Sequence, residues 1–227
     1  MNVPMTTSEA IASRRSVRGF LPTPVDPAIL RQIVEKAGRA PSGGNLQPWH
    51  IDVVGGEKLE ELKAIMRTRM MEAPKGEPTQ YDIYPKTLEK PYRDYRFQVG
   101  EDLYGALGIP REDKMARMMW FARNFQFFGA PVALFCTVAR TMGPPQWSDL
   151  GMYLQSVMLL LREEGLDSCP QECWAIYPDT IGKFLNIPQE RMLFTGMAIG
   201  FKDPNDKANT FTPARAPLEA FGQFHGI

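Results

Sequence analysis

Histidine and cysteine are scarce in this chain of 227 residues, with two of the first and three of the second. His50 and His225 lie far apart, and Cys136, Cys169 and Cys173 form no pair of CxxC motifs, which argues against a zinc centre and a disulfide framework. Net charge is also lacking: 26 basic and 26 acidic side chains cancel, leaving no global field to recruit nucleic acid or an anionic membrane. Apolar runs such as Val157 to Leu161 are far too short to cross a bilayer, and MNVPMTTSEA has neither the basic start nor the apolar stretch of a secretory signal. A cytoplasmic protein acting on small molecules is the expectation. No GxGxxG, GxxxxGK[ST] or GxSxG is present, so the common dinucleotide, triphosphate and acyl-transfer signatures are excluded as the source of chemistry.

What is present suits a packed core, with 44% apolar residues and a length that fits one domain over 1–227. Thr7 or Ser8 can cap a first short helix. Asp26 and Pro27 supply an N-cap and an N1 proline for an amphipathic helix carrying Ile29, Leu30, Ile33, Val34 and Ala37, ending near Pro41. Trp49 to Val54 reads as a strand, followed by a helix from Glu57. From about 73 to 110 the prolines and the many Tyr and Arg residues predict an irregular or broken-helical excursion. Helix spacing returns over Glu112–Phe128, a buried strand over Pro131–Val138, a long apolar helix over Asp149–Glu164 and a last strand over Met192–Gly200. Beyond Lys202, Pro204, Pro213 and Pro217 disfavour helix and predict an extended arm. The loose alternation of elements favours an α+β class with helices packed around one sheet.

Two segments stand out chemically. Ser13-Arg14-Arg15-Ser16-Val17-Arg18 places three guanidinium groups and two hydroxyls within six residues at a helix end, which can clamp a phosphate or a carbonyl-rich ring. Alone, such a run also suits a solvated helix terminus. Pro41-Ser42-Gly43-Gly44-Asn45-Leu46-Gln47-Pro48-Trp49 pairs two glycines, which allow close backbone approach, with the polar edges of Ser42, Asn45 and Gln47. Alone, it is equally a helix-to-strand turn.

Together, and in this order, the two segments resemble the N-terminal signature of the FMN-dependent nitroreductase family. The resemblance continues through Trp147-Ser148-Asp149-Leu150-Gly151 with Gln155, Cys169-Pro170-Gln171-Glu172-Cys173-Trp174, Gly196 to Gly200, and Arg215-Ala216-Pro217-Leu218. It covers essentially the whole chain and is nearest to the nitrobenzoate-type enzymes. It implies a nitroreductase-like α+β fold, with a central mostly antiparallel sheet and an extended C-terminal arm, and a homodimer with FMN at the subunit interface. Arg14, Ser16 and Arg215, with Arg15 beside them, would hold the FMN phosphate. Arg18 would reach the pyrimidine edge of the ring, where a cation stabilises the reduced form. Pro41, Ser42, Gly43 and Asn45 would belong to the loop that the second subunit contributes, with Gln47 a further cofactor-binding residue. Pro170, Gln171 and Glu172 would border the ring, with the main-chain N–H of Glu172 directed at N5. The implied activity is transfer of electrons from NADH or NADPH to nitroaromatic or quinone-like acceptors by a ping-pong scheme, in which the flavin rather than a protein acid or base carries the hydride. A flavin-binding chaperone or sensor, and a reductive dehalogenase or ring oxidase, remain alternatives on the same scaffold. Cys173, where relatives carry glycine or alanine, reads as a packing residue.

Overall fold

The computed structural model describes residues 5–227, so the first four residues of the MNVPMTTSEA stretch lie outside it. Helix α1 (Thr7–Ser13) is capped one residue earlier than expected, by Thr6. The capping box decides this: the Thr6 hydroxyl accepts from Glu9 N–H while the Glu9 carboxylate accepts from Thr6 N–H, and that exchange works only at a spacing of three. Helix α2 (Pro27–Ala37) begins as the sequence predicts, with Asp26 accepting from Ala28 N–H at 2.8 Å, and buries Leu30, Ile33 and Ala37.

Strand β1 (His50–Gly55) leads directly into α3 (Gly56–Glu72). The excursion, expected to be irregular or broken-helical, contains a 16-residue helix, α4 (Tyr92–Leu107), ended by Gly108 in the left-handed conformation. Only Leu103 of α4 is buried, so no apolar period marks it in the sequence. Its far end is held by side-chain pairings instead: Arg117 bonds Glu101 at 2.9 Å and lies 4.3 Å over the Tyr104 ring, and Tyr104 meets Trp120 edge-on. Helix α5 (Lys114–Ala122) runs shorter than predicted, because residues 123–129 tighten into a 3₁₀ segment in which buried Phe127 and Phe128 take left-handed φ of 52° and 54°. Strand β2 (Val132–Ala139), helix α6 (Pro144–Glu163) and strand β4 (Arg191–Gly200) match the predicted elements to within a few residues. Strand β3 (Asp167–Gln171) and helix α7 (Pro178–Leu185) are additions to the expected elements, α7 starting on Pro178 and ending at Asn186 in the left-handed conformation.

The sheet has the order β1-β2-β4-β3 and is antiparallel at every pairing, which agrees with the α+β expectation. β2 and β4 are central and buried on both faces. One face, with Ala133 and Phe135, packs on α3, residues 123–129 and an aromatic group in which Phe127 stacks on Trp174 at 4.6 Å. The other, with Leu134 and Cys136, packs on α2 and α6 through Leu150, Tyr153 and Val157. Gly196 is required on β4, since a Cβ there would lie 2.4 Å from the Trp174 ring. β3 is an edge strand, which is how it tolerates Pro170. Beyond Gly200 the chain forms only two 3₁₀ turns, Lys207–Asn209 and Leu218–Ala220, so the predicted arm is largely extended.

Candidate functional site

The basic cluster follows α1 and is stitched to the sheet. Ser16 pairs with Ser168 of β3 in a parallel bridge, and Val17 N–H donates to Ser168 C=O at 3.0 Å. The arginines therefore stand beside the edge strand that continues into Pro170, Gln171 and Glu172. Arg15, Ser16 and Arg18 line a cleft of about 210 Å³ with Arg215 from the tail, joined by Lys202, Asn209, Phe211 and Val99 of α4. Arg14 is adjacent: burial, and next the charge of Arg215, lower its pKa. Among the described residues, no side-chain nitrogen of Arg14, Arg15, Arg18, Arg215 or Lys202 lies within 4.0 Å of a carboxylate. A partly desolvated guanidinium beside a second cation, with no acid to pair with either, is an arrangement that a multiply charged anion would satisfy.

Arg18 is half-buried, as Arg14 is, whereas Arg15 and Arg215 are exposed. The charge of Arg18 bears on the Cys169 and Cys173 thiols and on the Tyr104 hydroxyl, and its Nη1 donates to Ser16 C=O at 3.3 Å. It thus points from the cluster toward the end of β3. There Glu172 opens the 3₁₀ turn Glu172–Ile176, so its main-chain N–H is one of the donors a helical turn leaves unpartnered. Glu172 is exposed as a residue, and partial desolvation of its carboxyl raises the pKa above the ordinary value. Pro170 is half-buried on the edge strand. Gln171 departs from expectation: its side chain is buried in the core, donating to Asn124 C=O at 2.8 Å and accepting from the Trp174 indole at 3.4 Å. Only its main chain can border a ligand, because strand alternation turns its side chain inward.

The Pro41–Gln47 loop lies elsewhere in the chain. Gly44, Asn45 and Gln47 have φ of 57°, 58° and 49°, and the loop holds itself together: Gln47 N–H donates to Ser42 Oγ at 3.0 Å and the Gln47 amide to Asn45 C=O at 3.2 Å. Pro41, Gly43, Gly44 and Asn45 are exposed. Gly43 N–H donates to Asp149 near the start of α6, whereas Arg162 near the end of α6 donates to Ser13 beside the basic cluster. Thirteen helical positions at about 1.5 Å each separate these anchors by roughly 20 Å. Within one chain, the structure brings Arg14, Arg15, Ser16, Arg18 and Arg215 together and leaves Pro41, Ser42, Gly43, Asn45 and Gln47 at the far end of α6.

Cys173 is pushed well above the ordinary thiol range by burial and Cys169 to about 11, so neither is a thiolate at neutral pH. Of the excursion's arginines, Arg96 stacks 4.0 Å over Tyr84 and Arg93 neighbours Asp94, and neither lines the cleft. Lys202 and Asn209 do, and sequence reasoning missed both. Lys202 follows the Gly196–Gly200 strand directly, a position that could have flagged it. Asn209 bonds residues about 190 positions away and has no local signal.

Comparison with known proteins adds to this geometry. The model of the family described as the nitroreductase family matches residues 11–201. The chain is 35% identical to a 4-nitrobenzoate reductase of Pseudomonas putida over 96% of this chain and 94% of that protein. Among solved structures it resembles the FMN and NADPH-dependent nitroreductase NfnB of Sphigopyxis sp. strain HMH, with a TM-score of 0.95, 48% identity, and coverage of 98% of this chain and 100% of that one. It also resembles the FMN-dependent nitroreductase NfnB of Mycobacterium smegmatis in complex with NADPH, with a TM-score of 0.91, 29% identity, and coverage of 96% and 97%.

Proposed function

This chain belongs to the nitroreductase family, and from that premise we propose an FMN-dependent oxidoreductase that takes electrons from NAD(P)H and passes them to nitroaromatic acceptors. The observation that carries the reading is the cleft of unpaired arginines beside the β3 edge, whose donor set fits a phosphate dianion at one end and the polar edge of a flavin ring at the other. FMN, when bound, would supply the two-electron chemistry that links oxidation of the nicotinamide to reduction of the acceptor in separate half-reactions, a ping-pong scheme.

The chain's own residues bind and orient. Arg14, Arg15, Ser16 and Arg215 hold the phosphate, with Lys202 adding charge. Arg18 faces the pyrimidine edge, and the Glu172 N–H at the start of its turn donates to the ring. Pro170 and the main chain of Gln171 border it. Residues 1–227 act as one domain, and three unpaired cysteines suit a reducing cytoplasm.

The site is shared between two copies of this chain. The Pro41–Gln47 loop, displaced along α6 from its own protomer's arginines, completes the cleft of a second protomer with Pro41, Ser42, Gly43, Asn45 and Gln47. Exposed Leu218, Phe221 and Phe224 on the arm suit the same embrace, since apolar side chains in a row on a tail gain by burial against a neighbour. Light scattering on the FMN-loaded protein should give twice the chain mass of 25.6 kDa, and a monomer retaining tightly bound FMN would overturn the shared site.

Activity is tested anaerobically on the yellow holoprotein. NADPH or NADH is expected to bleach the flavin absorbance, and 4-nitrobenzoate, a nitroarene, to restore it with consumption of the nitro compound. A flavin that stays oxidised under excess reduced nicotinamide would favour a chaperone or sensor instead.

A further inference from the structure

Asn209 stands in the wall of the arginine cleft with its side-chain amide fully engaged. Its Oδ1 accepts from the main-chain N–H of Arg18 at 2.9 Å, and its Nδ2 donates to the carbonyls of Gly19 and Asp203, each at 2.9 Å. The orientation of the amide follows from chemistry, because a main-chain N–H can only donate and a carbonyl can only accept. Both amide protons are consumed. Asn209 therefore has no donor left for a ligand and acts through the segment it grips.

That segment is Arg18-Gly19. The Arg18 guanidinium is tethered at its other end to Ser16 C=O, and Asp203 N–H also donates to Gly19 C=O at 2.9 Å. Gly19 runs flush against the turn that carries Asn209: a Cβ there would lie 2.3 Å from the Asp206 carboxyl carbon. Asp206 in turn caps the Lys207–Asn209 turn and pairs with Arg123 at 3.1 Å. The backbone at Arg18 is thus held by a turn from the other end of the chain, itself anchored to the segment after α5.

We infer that Asn209 is a positioning residue that fixes where the Arg18 guanidinium stands, and through it sets how strongly the site prefers reduced over oxidised flavin. This rests on the reading that Arg18 faces the ring. Reduction adds negative charge at the pyrimidine edge, so a cation held there favours the reduced form, and a cation free to wander favours it less. Truncating Asn209 releases the Arg18 N–H and loosens the segment while leaving the arginine in place.

A double-mutant cycle read by spectroelectrochemical titration of the FMN-loaded protein tests this. Arg18→Gln is expected to lower the preference for reduced flavin about tenfold, which for a two-electron couple is a fall of about 30 mV in midpoint potential. Arg18→Lys should recover most of the loss. Asn209→Ala should lower the preference in the same direction by a few-fold in the wild-type background and have no further effect once Arg18 is glutamine. Should Asn209→Ala fail to fold, Asn209→Ser, which keeps a hydroxyl acceptor, runs the same cycle with a smaller shift. An Asn209 variant that titrates at the wild-type potential, or shifts it equally in both backgrounds, overturns the inference and leaves Asn209 with a purely structural role. An Arg18→Gln protein that keeps its FMN and its potential overturns the placement of Arg18 itself, and the two failures are told apart by which variant stays at the wild-type value.

Discussion

Arg14→Ala and Arg215→Ala are each expected to weaken FMN binding by about one to two decades while leaving riboflavin binding close to the wild-type value. On the proposed assignment each removes a charge-assisted bond to phosphate worth roughly 1.5–3 kcal/mol, and every 1.4 kcal/mol is about tenfold in affinity. Riboflavin has no phosphate, so it serves as the internal control. The ligand-free protein should respond differently. Burial and the neighbouring Arg215 already disfavour the charge on Arg14, so removing either arginine relieves a repulsion and should not lower the melting temperature of the apoprotein. Competition titrations with the two flavins decide the matter: equal weakening for both would move these arginines off the phosphate and return the cluster to a solvated helix end.

Glu77→Ala is expected to cost about 3 kcal/mol of stability, since it leaves two main-chain N–H groups and a hydroxyl at the start of α7 without their acceptor, at roughly 1–3 kcal/mol for each donor left buried and unsatisfied. The Glu77 side chain is 2% exposed and accepts from Arg69 Nε at 2.9 Å, from Asp179 N–H at 2.8 Å and Thr180 N–H at 3.0 Å at the start of α7, and from the Thr180 hydroxyl. Its own N–H donates to Ile176 C=O at 2.7 Å, so this one residue fastens the beginning of the 73–110 excursion to the segment that follows Glu172. For a chain of this size the loss corresponds to roughly 6–12 °C in melting temperature.

Glu77→Gln should lose less, and its deficit should depend on pH. Burial pushes the Glu77 carboxyl upward, but the hydrogen bonds from Thr180, Arg69 and Asp179 outweigh it and hold the pKa below the ordinary value of 4.5. A carboxyl depressed in the folded state contributes stability that is fully present above its unfolded pKa and is lost as pH falls through the folded one. The gap in melting temperature between wild type and Glu77→Gln should therefore be constant near neutrality and close below about pH 4.5. A gap that persists unchanged in acid would show that the carboxylate charge is not what α7 depends on.

Ordered motifs in the sequence were sufficient to name the family, the cofactor and most of the cluster that the structure gathers into one cleft, because each of those signals is local. Arg14, Arg15, Ser16 and Arg18 lie within five consecutive positions, and the predicted strands β1, β2 and β4 carry their own apolar pattern. Helices α2 and α6 were legible for the same reason, their apolar faces repeating at helical spacing. Strand β3 was not, since DSCPQ has no alternation and becomes a strand only by pairing with β4. Nor was α4, whose exposed Tyr- and Arg-rich turns bury a single leucine.

What the tertiary structure alone decided concerns contacts between distant parts of the chain. It turned Gln171 into the core, where Asn124 and Trp174 satisfy its amide, and it set the Pro41–Gln47 loop at the opposite end of α6 from the arginines. It brought Lys202, Asn209 and Arg215 from the tail to Arg18. A local pattern reports how a segment buries its own side chains, but the partner of a buried amide or a desolvated cation is chosen by the fold. Sequence by itself determined which family chemistry this chain carries, and only packing determined which distant residues stand beside the basic cluster.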